Sequence, residues 1–180
     1  MNTVVFLHGC PAVGKTTIAR EIHRLVLDGH ELAENFLECV VLDGDMVRRL
    51  WPELGLSSED RLENHKRAAM LASLIANQTL SCLTIVSMIG PDEECRDTVK
   101  KILEYSSEYF NFYNIWLDCP VEERKNRDPK GLYKKVDDGD ISGLTGYDGR
   151  YEQPFKYDLK FDTYKYDALA IATAILSYVG

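Results

Sequence analysis

The chain has 180 residues, 45% hydrophobic and 28% charged, a balance that fits one packed domain and excludes a fibrous or disordered chain. Its 29 acidic and 21 basic side chains leave a net charge of -8, which argues against broad binding to nucleic acid or anionic membrane. No stretch approaches about 18 uninterrupted apolar residues, and the five cysteines, odd in number and without C-x-x-C spacing, are those expected of a reduced cytoplasmic protein.

Apolar runs at Thr3 to His8, Leu37 to Leu42, Leu80 to Met88 and Phe112 to Asp118 read as strands, with helical patterns between them. The first helix is expected from about Gly14 to Leu27, stopped by Asp28-Gly29. A second begins after Ser57, where Ser57-x-x-Asp60 resembles a capping box. Its residues Arg61, Asn64, Ala68, Leu71 and Ile75 fall three or four apart and predict one face, polar in its first turn and apolar beyond. A third helix is expected from Glu93 to Tyr109 and a last one, packed on the sheet, from Asp167 to Val179. Strands alternating with helices predict a layered α/β fold with a mostly parallel sheet, in a single domain over residues 1–180. Five of the 12 glycines fall between Gly131 and Gly149 among few residues suited to burial, so residues 128–150 are expected to form a mobile lid.

The strongest local signal is GCPAVGKTT, directly after the first strand: Gly9, Cys10, Pro11, Ala12, Val13, Gly14, Lys15, Thr16 and Thr17. It matches G-x-x-x-x-G-K-[ST], whose backbone amides and helix N-terminus cradle phosphates while the lysine reaches the outer phosphates and the hydroxyl ligates magnesium. Cys10 reads as a small tolerated loop residue. No N-K-x-D pattern is present, which disfavours a guanine-nucleotide switch, and the lid points to a small-molecule kinase that excludes water during transfer. The second strand ends in Asp43-Gly44-Asp45, either a polar turn or a pair of working carboxylates. His8 and His65 lack metal-ligand companions and read as structural.

Four further stretches, in order, resemble the adenylylsulfate kinase family: LDGD with Arg48 following, LGLSSEDRLEN, RDPKGLYKK and TGYDGRYEQP. The resemblance covers most of the chain to about Pro154. It implies a three-layer P-loop nucleotide-kinase fold, a role in sulfate assimilation, and ATP with Mg2+ in the first loop. It also implies phosphorylation of the 3'-hydroxyl of adenosine 5'-phosphosulfate. Lys15, Asp43 and Asp45 become catalytic, and Thr16 and Asp45 metal ligands, although sequence does not decide which aspartate does which task. Arg48, Leu56, Arg61, Asn64, Lys130 and Leu144 become acceptor contacts. Family members are often dimers, which the resemblance extends to this chain.

The sequence departs from the family at the acceptor end. Leu56 and Leu144 stand where two phenylalanines sandwich the adenine, Gly90 replaces a serine once assigned a phosphoenzyme role, Asp92 replaces a tyrosine and Arg150 a proline. These changes allow another nucleotide acceptor, such as a cytidine diphosphate derivative (cytidine diphosphoramidate of capsule synthesis). A non-catalytic nucleotide-binding module is the remaining alternative.

Overall fold

A computed structural model describes residues 2–106 and 110–180. A five-stranded, wholly parallel sheet has the order β2 (Glu38–Asp43), β3 (Cys82–Met88), β1 (Asn2–His8), β4 (Phe110–Asp118), β5 (Leu159–Asp162). β1 and β3 lie inside it and every residue of each is buried, which suits their nearly continuous apolar runs. β4 flanks β1 on the other side, while β2 and the four-residue β5 form the edges. β5 has no counterpart in the sequence reading, because a short, half-exposed strand lacks a long apolar run.

α1 (Lys15–Leu27) and α7 (Ala168–Val179) cover one sheet face, where Ile18, Ile22, Ile171 and Ile175 join Val5, Leu7 and Ile115 in one core. The last helix therefore packs on the sheet as its composition predicts, and Asp167 caps it by accepting from the Ala170 amide. α3 (Ser58–Gln78) and α4 (Glu93–Tyr105) cover the opposite face. Ser57 starts α3 by accepting from the Asp60 amide at 3.1 Å. The expected extension of α4 to Tyr109 reaches residues 107–109, which lie outside the described residues.

The face of α3 needs one correction. Its buried stripe begins at Asn64 and Ala68 as expected but continues along Ala69, Ala72 and Ala76, leaving Leu71 and Ile75 only partly buried. Alanines let the helix backbone approach the sheet, and the larger side chains are displaced toward the stripe's margins. Asn2 ties this helix to the sheet: its Nδ2 donates to Ala76 O at 2.6 Å and Thr79 O at 2.7 Å, and its Oδ1 accepts from the Cys82 amide at 2.8 Å.

Asn2→Ala removes all three bonds from a buried corner and leaves their backbone partners unpaired. It should lower stability by about 2 kcal/mol, measured by reversible denaturant unfolding, with the Gly9–Thr17 loop unaffected. An unchanged unfolding midpoint would contradict this assignment.

Candidate active site

The phosphate loop leaves β1 at the carboxyl edge of the sheet, where the strand order reverses and open α/β sheets bind ligands. Its backbone needs unusual angles: φ is 59° at Ala12 and 99° at Gly14, which immediately precedes α1. At Gly9 the constraint is space, since a Cβ there would lie 2.3 Å from Leu117 O. Lys15 folds its ammonium onto the loop, donating to Gly9 O at 2.8 Å and Cys10 O at 2.7 Å. Two of its three donors are thereby fixed and one is left for an anion. Burial pulls the Lys15 pKa down to about 8, against the opposing pull of Asp43. Cys10 is buried, and burial pushes its thiol upward, which fits a packed loop residue rather than a thiolate.

Asp43 ends β2 in register with Ser87 on β3 and faces α1. Its Oδ2 accepts from Thr16 Oγ1 at 2.8 Å, and its Oδ1 accepts from the Asp45 amide at 2.9 Å, capping α2 (Gly44–Arg49). Of the two carboxylates that the sequence left without separate tasks, the structure brings Asp43 to the Thr16 hydroxyl. Asp45, one residue into α2, turns outward and pairs with Lys130 of the 128–150 segment. A hydroxyl and a carboxylate are hard oxygen donors of the kind Mg2+ accepts when phosphates and water complete its shell. Among the described residues no cluster of three or more His, Cys, Asp or Glu offers a self-sufficient metal site.

Arg48 donates to Gly55 O, and Arg61 Nε donates to Leu56 O at 2.9 Å, so two guanidiniums hold the turn that carries Leu56. Arg61 also donates to Thr145 Oγ1. Asn64 Nδ2 donates to Gly44 O at 3.2 Å, while Asn64 Oδ1 has no partner among the described residues. These residues, Lys15, Thr16, both aspartates, Lys130 and Leu144 line one cleft of 1070 Å³. Gly9, Cys10 and Val13 form the loop behind the lining. Ser87 also lines the cleft, its buried hydroxyl without a partner among the described residues, and sequence reasoning missed it. Its signal was a polar residue near the carboxyl end of an apolar strand. At the far end, Arg127, Thr163 and Tyr166 line the cleft; Arg127 lay within RDPKGLYKK without a role.

The 128–150 segment contains α6 (Leu132–Asp137), and Tyr133 and Thr145 are its buried residues. Tyr133 is accommodated because its hydroxyl is satisfied and its ring packs against Tyr147 with centroids 5.2 Å apart.

The adenylylsulphate kinase family model matches residues 1–162. The chain belongs to that family. It is 40% identical over 155 residues to the adenylyl-sulfate kinase of Emericella nidulans, covering 83% of this chain and 71% of that one. Identity is 36% over 165 residues to the Clostridium acetobutylicum adenylyl-sulfate kinase, covering 91% and 76%. The Mycobacterium tuberculosis APS kinase, solved in complex with AMPPNP and APS, superposes with a TM-score of 0.87 at 30% identity, covering 97% of this chain and 95% of that one.

Against this family background, Leu56 is 70% exposed and Leu144 half-buried, so the cleft presents aliphatic side chains at both departures. Asp92, which stands where the family has a tyrosine, caps α4: its Oδ1 accepts from the Cys95 amide at 2.8 Å. Gly90 has φ 58°, its carbonyl accepts from Arg96 at 2.7 Å, and its amide donates to His65 Nε2 at 3.2 Å. The other His65 nitrogen donates to Arg61 O at 2.7 Å, so the ring is a neutral brace, and burial holds its pKa near 4. His8 is also neutral, its pKa pulled down to about 3 by burial and Arg96.

Gly90→Ser should cost about 1 to 2 kcal/mol for the left-handed backbone alone. Its Cβ would also meet Arg96 Cγ at 3.2 Å and His8 Cβ at 3.3 Å. Thermal unfolding checks this, and a stabilised variant would contradict it.

Lys15 predicts a pH effect. A bound anion favours the ammonium form, so AMPPNP affinity should fall as pH rises through about 8, with net proton uptake on binding. Calorimetry at pH above 8 in two buffers of different ionisation enthalpy measures this. Absence of uptake would contradict it.

Proposed function

We propose that this chain transfers the γ-phosphoryl group of ATP to the 3'-hydroxyl of adenosine 5'-phosphosulfate or a closely related nucleotide. The observation that carries the reading is the Thr16–Asp43 bond at 2.8 Å, which joins the phosphate loop to the Asp43–Asp45 edge as one site. Phosphoryl transfer depends chiefly on positioning and charge neutralisation.

In this reading the loop amides and Lys15 hold the outer phosphates. Thr16 and Asp43 would hold Mg2+, which would supply charge neutralisation to the phosphates. Asp45, free of the Thr16 contact and facing Lys130, orients the acceptor hydroxyl and takes its proton as the new oxygen–phosphorus bond forms. The bond from the γ-phosphorus to the β–γ bridging oxygen breaks, and ADP leaves with that electron pair. Arg48, Arg61 and Lys130 meet the anionic tail of the acceptor. Arg127, Thr163 and Tyr166 accommodate the donor base at the far end. Gly90 offers no hydroxyl for a phosphoenzyme, which supports direct transfer.

A second reading keeps the chemistry and changes the acceptor base, as in a cytidine diphosphate derivative. It is favoured by Leu56 and Leu144, because two aliphatic side chains give up aromatic stacking worth roughly 1 to 3 kcal/mol per base.

Asp45→Asn should lower acceptor-dependent ADP release by roughly 100-fold or more while circular dichroism and unfolding stay unchanged. Near-normal turnover in the folded variant would remove Asp45 from the reaction.

A further inference from the structure

Arg124 is a buried cation that the transfer chemistry leaves without a task. It lies in α5 (Val121–Arg127), is 7% exposed, and among the described residues its hydrogen-bond partners are neutral: Nε donates to Cys119 O, Nη1 to Tyr133 Oη and Nη2 to Gly146 O, each at 3.1 Å. A guanidinium removed from water without a carboxylate beside it is costly, so its retention needs a compensating arrangement.

The neighbours supply one. Tyr133 Oη, which accepts from Arg124, donates onward to Pro11 O in the phosphate loop at 3.0 Å. Burial raises this phenol to about 12, so it remains a donor across the working pH range. Gly146, the other end of the Arg124 fork, packs against the same loop so closely that a Cβ there would lie 2.5 Å from Cys10 Sγ. The adjacent Thr145 accepts from Arg61, and Arg61 holds Leu56 O at 2.9 Å. Bonds thus run without a break from the phosphate loop, through Tyr133 and Arg124, to the segment bearing Leu144 and across the cleft to Leu56.

We propose that Arg124 and Tyr133 are positioning residues that lock the phosphate loop to residues 144–146, so that nucleotide held by the loop orders the acceptor end of the cleft. The inference rests on the nucleotide reading of the loop and not on the acceptor's identity.

Amide hydrogen exchange of the full chain with and without AMPPNP and Mg2+ tests the coupling. In the natural protein, nucleotide should slow exchange in residues 9–17 and also, by roughly five-fold or more, in residues 143–146. Tyr133→Phe deletes one oxygen from the line of bonds; it should keep the slowing at 9–17 and lose it at 143–146. Arg124→Met should do the same, and if that variant fails to fold, Tyr133→Phe alone decides. In a turnover assay Tyr133→Phe should raise KM for the acceptor more than it lowers AMPPNP affinity, a split that general loosening would not produce. Equal slowing at 143–146 in the natural protein and Tyr133→Phe, or slowing confined to 9–17 in the natural protein, would overturn the proposal. Slowing in neither segment would overturn the nucleotide reading and this inference with it.

Discussion

The carboxylate of Asp43 is the constraint on which the site depends. One oxygen holds the Thr16 hydroxyl at the first turn of α1, and the other holds the Asp45 amide at the first turn of α2. Two helices and the end of β2 are therefore fixed to one small, planar group. Asp45 takes its outward direction from that capping bond, and Arg48 follows one turn later on the same helix. Loss of the Asp43 carboxylate would disturb the donor and acceptor ends together.

Charge in the cleft is ordered by burial. Lys15 is half-buried and bonded to carbonyls, Arg48 and Arg61 each commit a donor to the backbone of Gly55 and Leu56, and Lys130 reaches across from the other wall to Asp45. These cations belong to a protein of net charge -8, so the positive field is local to the cleft. The two buried histidines add no charge near neutral pH, since both are held far below the usual imidazole range. His65 instead braces Gly90 against α3.

Much of this was legible in the sequence because its signals are short-range. The G-x-x-x-x-G-K-[ST] spacing determines a local backbone path, and Val4 to Leu7 or Leu83 to Val86 are too apolar to lie anywhere but inside a sheet. Ser57 and Asp167 cap helices by bonds only three residues long. What escaped depends on distant partners. The burial of Tyr133 within a glycine-rich stretch depends on Pro11 and Arg124. That Asp43 is the carboxylate beside Thr16, a point the sequence left open, follows from Asp43 ending β2 opposite α1 while Asp45 lies in α2. Ser87 gained its place from the register of β3 beside β2. The leucines at 56 and 144 were readable as departures, and the structure places both on the cleft wall without supplying the rings they replace.

The central claim is that the phosphate loop and the Asp43–Asp45 edge form one centre for transfer to a nucleotide hydroxyl. Its most direct test is the stoichiometry of products formed from ATP with adenosine 5'-phosphosulfate or a cytidine diphosphate derivative, resolved by phosphorus NMR. The account predicts one new 3'-phosphomonoester for each ADP formed, with ADP formation dependent on the acceptor. ADP formed at the same rate without any acceptor, or without a phosphorylated nucleotide beside it, would contradict it.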